Sequence, residues 1–199
     1  MNRMDSENLT LRKGDALVVV DVQNDFLPGG NLAVSDGDKV VPAFNRYIET
    51  FQSKKLPIYA TRDWHPPSHS SFQEKKGPWP PHCIADSKGA QFASDLSLPA
   101  NAVIISKGTE MDKDAYSGFE GTDLDDRLRS DGIGRLLIGG LATDYCVLNT
   151  VKDALKLGCQ VFLLEDAIQA VNVNPDDGEK AIKGMTDLGA VPIRYEMIG

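Results

Sequence analysis

Residues 135–157 read RLLIGGLATDYCVLNTVKDALKL. The opening RLLIG (Arg135–Gly139) is a short apolar run with the look of a buried strand. A brief turn follows, and from Thr143 to Leu157 the apolar spacing becomes helical, with Thr143 or Asp144 at the N-terminus. The same strand and helix alternation extends outward on both sides. Ala16–Val20 is a β-branched run with the character of a parallel strand. Val40, Val41, Phe44, Tyr47, Ile48 and Phe51 fall at helical spacing within 38–54. Further strands are predicted at Pro57–Thr61, Ala102–Ser106, Gln160–Leu164 and Val191–Tyr195, and further helices at Asp123–Ser130 and Gly178–Leu188. The alternation predicts an α/β fold: a three-layer α/β/α sandwich around a mostly parallel sheet of about six strands. In such a sheet, functional residues gather at the carboxyl ends of the strands.

The chain has 199 residues, suited to a single domain at 15–199 after a polar lead at 1–14. There are 29 acidic against 21 basic residues, a formal net charge of −8, which argues against a nucleic-acid surface. No apolar run has the length of a membrane helix, so no membrane partner is expected. The opening MNRMDSENLTLRKGD lacks the apolar core of a secretory signal. Three cysteines make no disulfide framework, and the expected setting is a reducing cytoplasm. A homo-oligomer is left open, because core-facing and partner-facing helix stripes look alike in sequence.

One region breaks the alternation. From Trp64 to about Ala100 there is no clear periodicity, and the segment carries Pro66, Pro67, Pro78, Pro80 and Pro81. Loops this long inside a domain are usually functional or disordered. All three histidines of the protein, His65, His69 and His82, lie in it, and Asp63 stands at the preceding strand end. Imidazoles plus a carboxylate suit a divalent transition metal such as zinc, iron or manganese. An extended Asp-Trp-His segment points Asp63 and His65 the same way. The alternative is a set of ordinary loop histidines, since an HxxxH spacing alone is weak.

The cysteines differ from one another. Cys159 precedes an apolar strand and reads as packing; Cys83 follows His82 and is either a ligand or buried. Cys146 falls in the first turn of the helix after RLLIGG, where a helix N-terminus is expected to lower a thiol pKa and offer backbone N–H groups to an oxyanion. A nucleophilic thiol also needs a base or cation. Asp21 follows the first strand and Lys107 the third, so all three would meet at one rim of the sheet. Capping for Asp21 and plain exposure for Lys107 are the alternatives. Phe26, Trp79 and Tyr116 accompany these positions and either fill core or wall a flat ring.

These segments resemble the nicotinamidase/pyrazinamidase family of the isochorismatase-like cysteine hydrolases. The resemblance is carried by VVVDVQNDFLPGGNLAV (18–34), TRDWHPPSHSSF (61–72), WPPHC (79–83), KG with AYSGF (107–108 and 115–119) and IGGLATDYCV (138–147). It implies hydrolysis of nicotinamide to nicotinate and ammonia in NAD salvage, with pyrazinamide as a further substrate. It implies Asp21, Lys107 and Cys146 as the catalytic triad, a cis peptide before Ala142, and an oxyanion hole from the Ala142 and Cys146 amides. Asp63, His65 and His82 are implied as ligands of one divalent metal that orients the pyridine ring. The fourth ligand implied is His69, with Glu74 as the alternative, and Phe26, Trp79 and Tyr116 pack on the ring. Two rival readings are another amidohydrolase of the superfamily, which generally lacks the histidines, and a non-catalytic metal-binding module on the same fold.

Overall fold

The computed structural model describes residues 8–199. Six strands form one sheet: β1 (Asp15–Val20), β2 (Ile58–Asp63), β3 (Val103–Lys107), β4 (Arg135–Leu141), β5 (Gln160–Gln169) and β6 (Val191–Ile193). Their order is β3-β2-β1-β4-β5-β6, and every pairing is parallel. The chain winds outward in one direction from β1 through β2 to β3, then returns to place β4 on the other side of β1. The crevice at that reversal, above the carboxyl ends of β1 and β4, is where open α/β sheets bind ligands.

The helices are α1 (Val40–Ser53), α2 (Leu124–Ser130), α3 (Leu148–Lys156) and α4 (Asp177–Asp187). Strand β1 shows why three layers form. Its alternate side chains face opposite sides of the sheet, and both sides are apolar. Leu17 and Val19 pack with Phe44, Tyr47, Ile48 and Phe51 of α1. Ala16, Val18 and Val20 pack with Leu124 and Leu128 of α2, Val151 and Ala154 of α3, and Met185 of α4. A strand buried on both faces has to read as an unbroken apolar run. Phe44 is fully buried, and its truncation to alanine would cost about 3–5 kcal/mol of stability. Close approach of β4 to β1 demands a glycine at 140, where a Cβ would lie 2.0 Å from the Val20 carbonyl oxygen.

Four details depart from the sequence expectation. Strands β2 and β3 run on to Asp63 and Lys107, which puts two charged residues inside the sheet rim. Strand β5 continues past Leu164 to Gln169 through a register shift against β4 between Ile138 and Gly140. The segment Thr143–Val147 is a π-turn rather than the first turn of an α-helix, and α3 proper starts at Leu148. The lead is docked where it is described: Leu9 bridges Ile198, and Leu11 joins the core, while positions 1–7 of the expected lead lie outside the described residues. Between β2 and β3 the chain holds only a 3-10 turn at Gln73–Lys75 and isolated bridges among the described residues, as the irregular composition implied. No helix among the described residues is long and apolar enough to cross a membrane.

Candidate active site

Asp21 leaves β1 with φ of 49°, so the chain turns out of the sheet at this residue. Lys107 is the last residue of β3, and Cys146 sits in the π-turn after β4. All three are buried and meet at the carboxyl rim. An ammonium group has three N–H donors. Those of Lys107 reach Asp63 Oδ1 at 2.5 Å, the Ala115 carbonyl at 3.0 Å and Cys146 Sγ at 3.5 Å. Asp21 Oδ2 forms an ion pair with the same nitrogen at 3.0 Å. Its other oxygen accepts the Thr61 hydroxyl at 2.6 Å. Asp21 and Cys146 thus meet in one buried group, each offering an atom within 4.8 Å of the other.

The charge states follow from burial and neighbours. Burial pushes Asp21 above the usual carboxylate range, against the pull of Lys107. Burial pushes the Cys146 thiol up as well; Lys107 opposes this, and the Asp21 and Asp63 carboxylates reinforce it. Desolvation and the two nearby carboxylates thus work against the lowering expected from a helix N-terminus. Burial works against the Lys107 cation, yet the carboxylates hold its pKa well above the ordinary value. Burial likewise works against charge on Asp63, but Lys107, and His65 whenever its ring is protonated, hold its carboxyl below the usual range.

Asp63, His65 and His82 bring one donor atom each within 4.8 Å of one another. The hydrogen bonds decide which atoms those are. His65 Nδ1 faces the Gly108 carbonyl at 2.9 Å, and His82 Nδ1 faces the Pro80 carbonyl at 2.8 Å. A carbonyl only accepts, so each Nδ1 carries the hydrogen, and each ring in its neutral form presents an Nε2 lone pair. A Cβ at Gly108 would lie 2.5 Å from His65 Cε1, so that ring is cradled. Two imidazole nitrogens and a carboxylate fit a divalent transition metal.

His69 and Glu74 do not join this group. His69 Nδ1 accepts from Ser71 Oγ at 2.7 Å and from the Ser71 amide at 3.3 Å, and Nε2 donates to the Lys113 carbonyl at 3.0 Å. With both nitrogens engaged, His69 instead stacks on His65, ring centroids 4.2 Å apart, and keeps that ring in plane. It also falls in a second grouping with His65 and Asp114, a residue the sequence did not single out. Glu74 is exposed on its 3-10 turn, away from the buried cluster.

A narrow pocket opens over the cluster. Phe26, Trp79 and Tyr116 line it as expected, together with Asp63, His82, Ala142 and Cys146. Trp79 Nε1 donates to the Tyr116 hydroxyl at 2.9 Å, which ties the two walls together. The Leu141–Ala142 peptide is cis. The sequence reading missed Leu32, Tyr145 and Val171 as lining residues. It also missed Asp144, whose two oxygens accept the Val171 and Asn172 amides at 2.9 Å each and so hold Val171 against the pocket. Asp25 accepts the Cys83 amide at 2.7 Å and thereby steadies the residue next to His82. Asp144 and Asp25 do lie inside the quoted motifs, which was the available signal; nothing local identifies their partners.

The family model for the isochorismatase domain matches residues 15–197. The chain belongs to the isochorismatase family. It is similar to the nicotinamidase of Escherichia coli (strain K12), 41% identical over 88% of this chain and 92% of that protein. It is also similar to a nicotinamidase/pyrazinamidase of Mycobacterium tuberculosis, 36% identical over 80% of this chain and 88% of that protein. Among solved structures it resembles the pyrazinamidase of Pyrococcus horikoshii in complex with zinc, at 51% identity and a TM-score of 0.88 over 92% of this chain and 99% of the other. The α/β fold described above matches that structure. The resemblance read from the five motifs is borne out.

Proposed function

We propose that the protein is a nicotinamidase, hydrolysing nicotinamide to nicotinate and ammonia, with pyrazinamide as a further substrate. The observation that carries this reading is the Asp21, Lys107 and Cys146 cluster lying against the Asp63, His65 and His82 donor group beneath one aromatic-walled pocket, which Asp63, His82 and Cys146 line. The names of the similar proteins support it.

In this reading Asp21 Oδ2 takes the thiol proton as Cys146 Sγ attacks the carboxamide carbon. The Ala142 and Cys146 amides hold the oxyanion, an arrangement in which one donor is worth about 3 kcal/mol of barrier. The tetrahedral adduct collapses with the C–N bond breaking, and Asp21 returns its proton to the departing ammonia. Asp21 then removes a proton from water as the water attacks the thioester, and nicotinate leaves with the thiol restored. The raised carboxyl of Asp21 suits a group that acts as base and acid in turn. Lys107 stays protonated throughout and balances the charge moved between Asp21 and Sγ. Phe26, Trp79 and Tyr116 flank the ring.

Asp63, His65 and His82 would hold the divalent metal, zinc, iron or manganese, and once bound it would supply a Lewis-acid anchor for the ring nitrogen. The reaction fits cytoplasmic NAD salvage. Ammonia release from nicotinamide, measured together with metal content, tests the assignment. Wild type is expected to turn over, and Cys146→Ala is expected to be inactive with its metal retained. Absence of release from folded, metal-loaded wild type would remove nicotinamide as the substrate.

A further inference from the structure

We propose that Gln23 is a positioning residue for Asp63, and that metal retention and turnover fall together when its side-chain amide is lost. The turnover part rests on the nicotinamidase reading; the metal part does not.

The argument begins at the end of β1. The β1–β2 ladder stops at Val20 and Thr61, and Asp21 turns away with φ of 49°. Strand β2 continues two residues further, paired with β3 on its other side through Asp63 and Lys107. On the β1 side, the backbone of Asp63 has therefore lost its strand neighbour. Gln23, fully buried, supplies one from its side chain. Its Oε1 accepts the Asp63 amide at 2.8 Å, and its Nε2 donates to the Asp63 carbonyl at 2.8 Å. The second Nε2 hydrogen goes to the Ala90 carbonyl at 2.9 Å, which fastens the far end of the histidine-bearing loop. Only a carboxamide offers one acceptor and two donors in this shape.

Asp63 is the residue that touches both halves of the site. Its Oδ1 lies 2.5 Å from Lys107 Nζ, and its Oδ2 lies 3.7 Å from His65 Nε2. Without the Gln23 amide, the Asp63 N–H and C=O would be buried and unpaired, and the carboxylate would lose the anchor that fixes it between lysine and histidine. The Gln23 backbone also donates to the Asp21 carbonyl at 2.8 Å, so the same residue sets the turn that presents the base.

The test compares wild type, Gln23→Met and Asp15→Asn, the last a buried position at the opposite edge of the sheet. Thermal midpoint, zinc affinity by chelator competition, and kcat and KM for nicotinamide are measured on each. Gln23→Met keeps length and bulk but has no hydrogen bonds to offer. It is expected to weaken zinc binding by about 10- to 100-fold, the effect typical of an outer-shell partner, and to lower kcat in parallel. Asp15→Asn is expected to lose thermal stability while keeping wild-type zinc affinity and kcat. If Gln23→Met does not fold, Gln23→Glu takes its place, retaining shape and acceptor but setting a second oxygen against two carbonyls; it is expected to shift zinc affinity in the same direction. Wild-type zinc affinity in a folded Gln23 variant would overturn the proposal. Should wild type release no ammonia, the zinc comparison still decides it.

Discussion

The two edges of the sheet each bury a salt bridge, and they bury it in different company. At the amino edge, Asp15 opens β1 beside Arg135, which opens β4, and the two are direct cross-strand partners. Arg135 Nε lies 2.8 Å from one Asp15 oxygen and Nη2 lies 3.2 Å from the other, while the Arg12 amide adds a hydrogen bond at 2.8 Å. One acid meets one base, and the charges cancel. At the carboxyl edge, one lysine faces two carboxylates, Asp21 and Asp63, with a thiol in the same group. With both carboxylates ionised and His65 neutral, that cluster is one positive charge short. A buried excess carboxylate is costly, and it is relieved by a proton or a cation. The balanced edge is architecture; in the proposed reading the unbalanced edge serves proton transfer on the Asp21 side and holds a metal on the Asp63 side.

Substitutions can break this contrast at either edge. Cys146→Ala should have the largest effect on turnover, about 10⁶-fold, the size associated with losing a covalent nucleophile. Metal content should be unchanged, because Cys146 Sγ is not among the Asp63, His65 and His82 donors, although Asp63 also lies in the Cys146 group. Loss of metal in that variant would contradict the separation of roles. Asp21→Asn should lower kcat by about 10²- to 10⁴-fold, since the amide cannot take the thiol proton. Steady-state ammonia release measures it, and near-normal kcat would remove Asp21 as the base.

At the balanced edge, Asp15→Asn should act on stability alone. Breaking this buried pair should cost about 3 kcal/mol and lower Tm by roughly 6 to 12 °C, with kcat intact at 25 °C. A large fall in kcat would mean that the two edges are coupled. The smallest effect is expected at Asp144→Asn, which leaves one of the two clamping amides at Val171 and Asn172 poorly satisfied. KM for nicotinamide should rise about 2- to 10-fold, the equivalent of one hydrogen bond, with kcat nearly unchanged. A change in kcat without KM would place Asp144 in the chemistry instead of the pocket wall.

What could be read in advance follows the same division. The apolar periodicity of β1, β4 and α1 determined the layers, because residues buried on both faces must be apolar and those on one face must repeat. Asp21, Lys107 and Cys146 were readable because a parallel sheet delivers strand ends to one rim. Roles that depend on distant partners were not. His69 was expected to bind metal, but its Nε2 hydrogen goes to the carbonyl of Lys113, 44 residues on, and that contact settles its tautomer. Gln23 works through Asp63 and Ala90, 40 and 67 residues away. The surroundings of Cys146 were hidden for a related reason: a helix end is visible in sequence, whereas the depth of burial and the second carboxylate, which push its thiol up, are properties of the packed rim.

The central claim is that thiol chemistry and a cation site share one pocket and one uncompensated charge. Ammonia release from nicotinamide by purified wild type, measured before chelation, after chelation and after restoring zinc, tests it most directly. The account predicts release that falls on chelation and recovers with zinc, with the protein folded throughout. Turnover that persists undiminished in protein shown to be free of metal would contradict it.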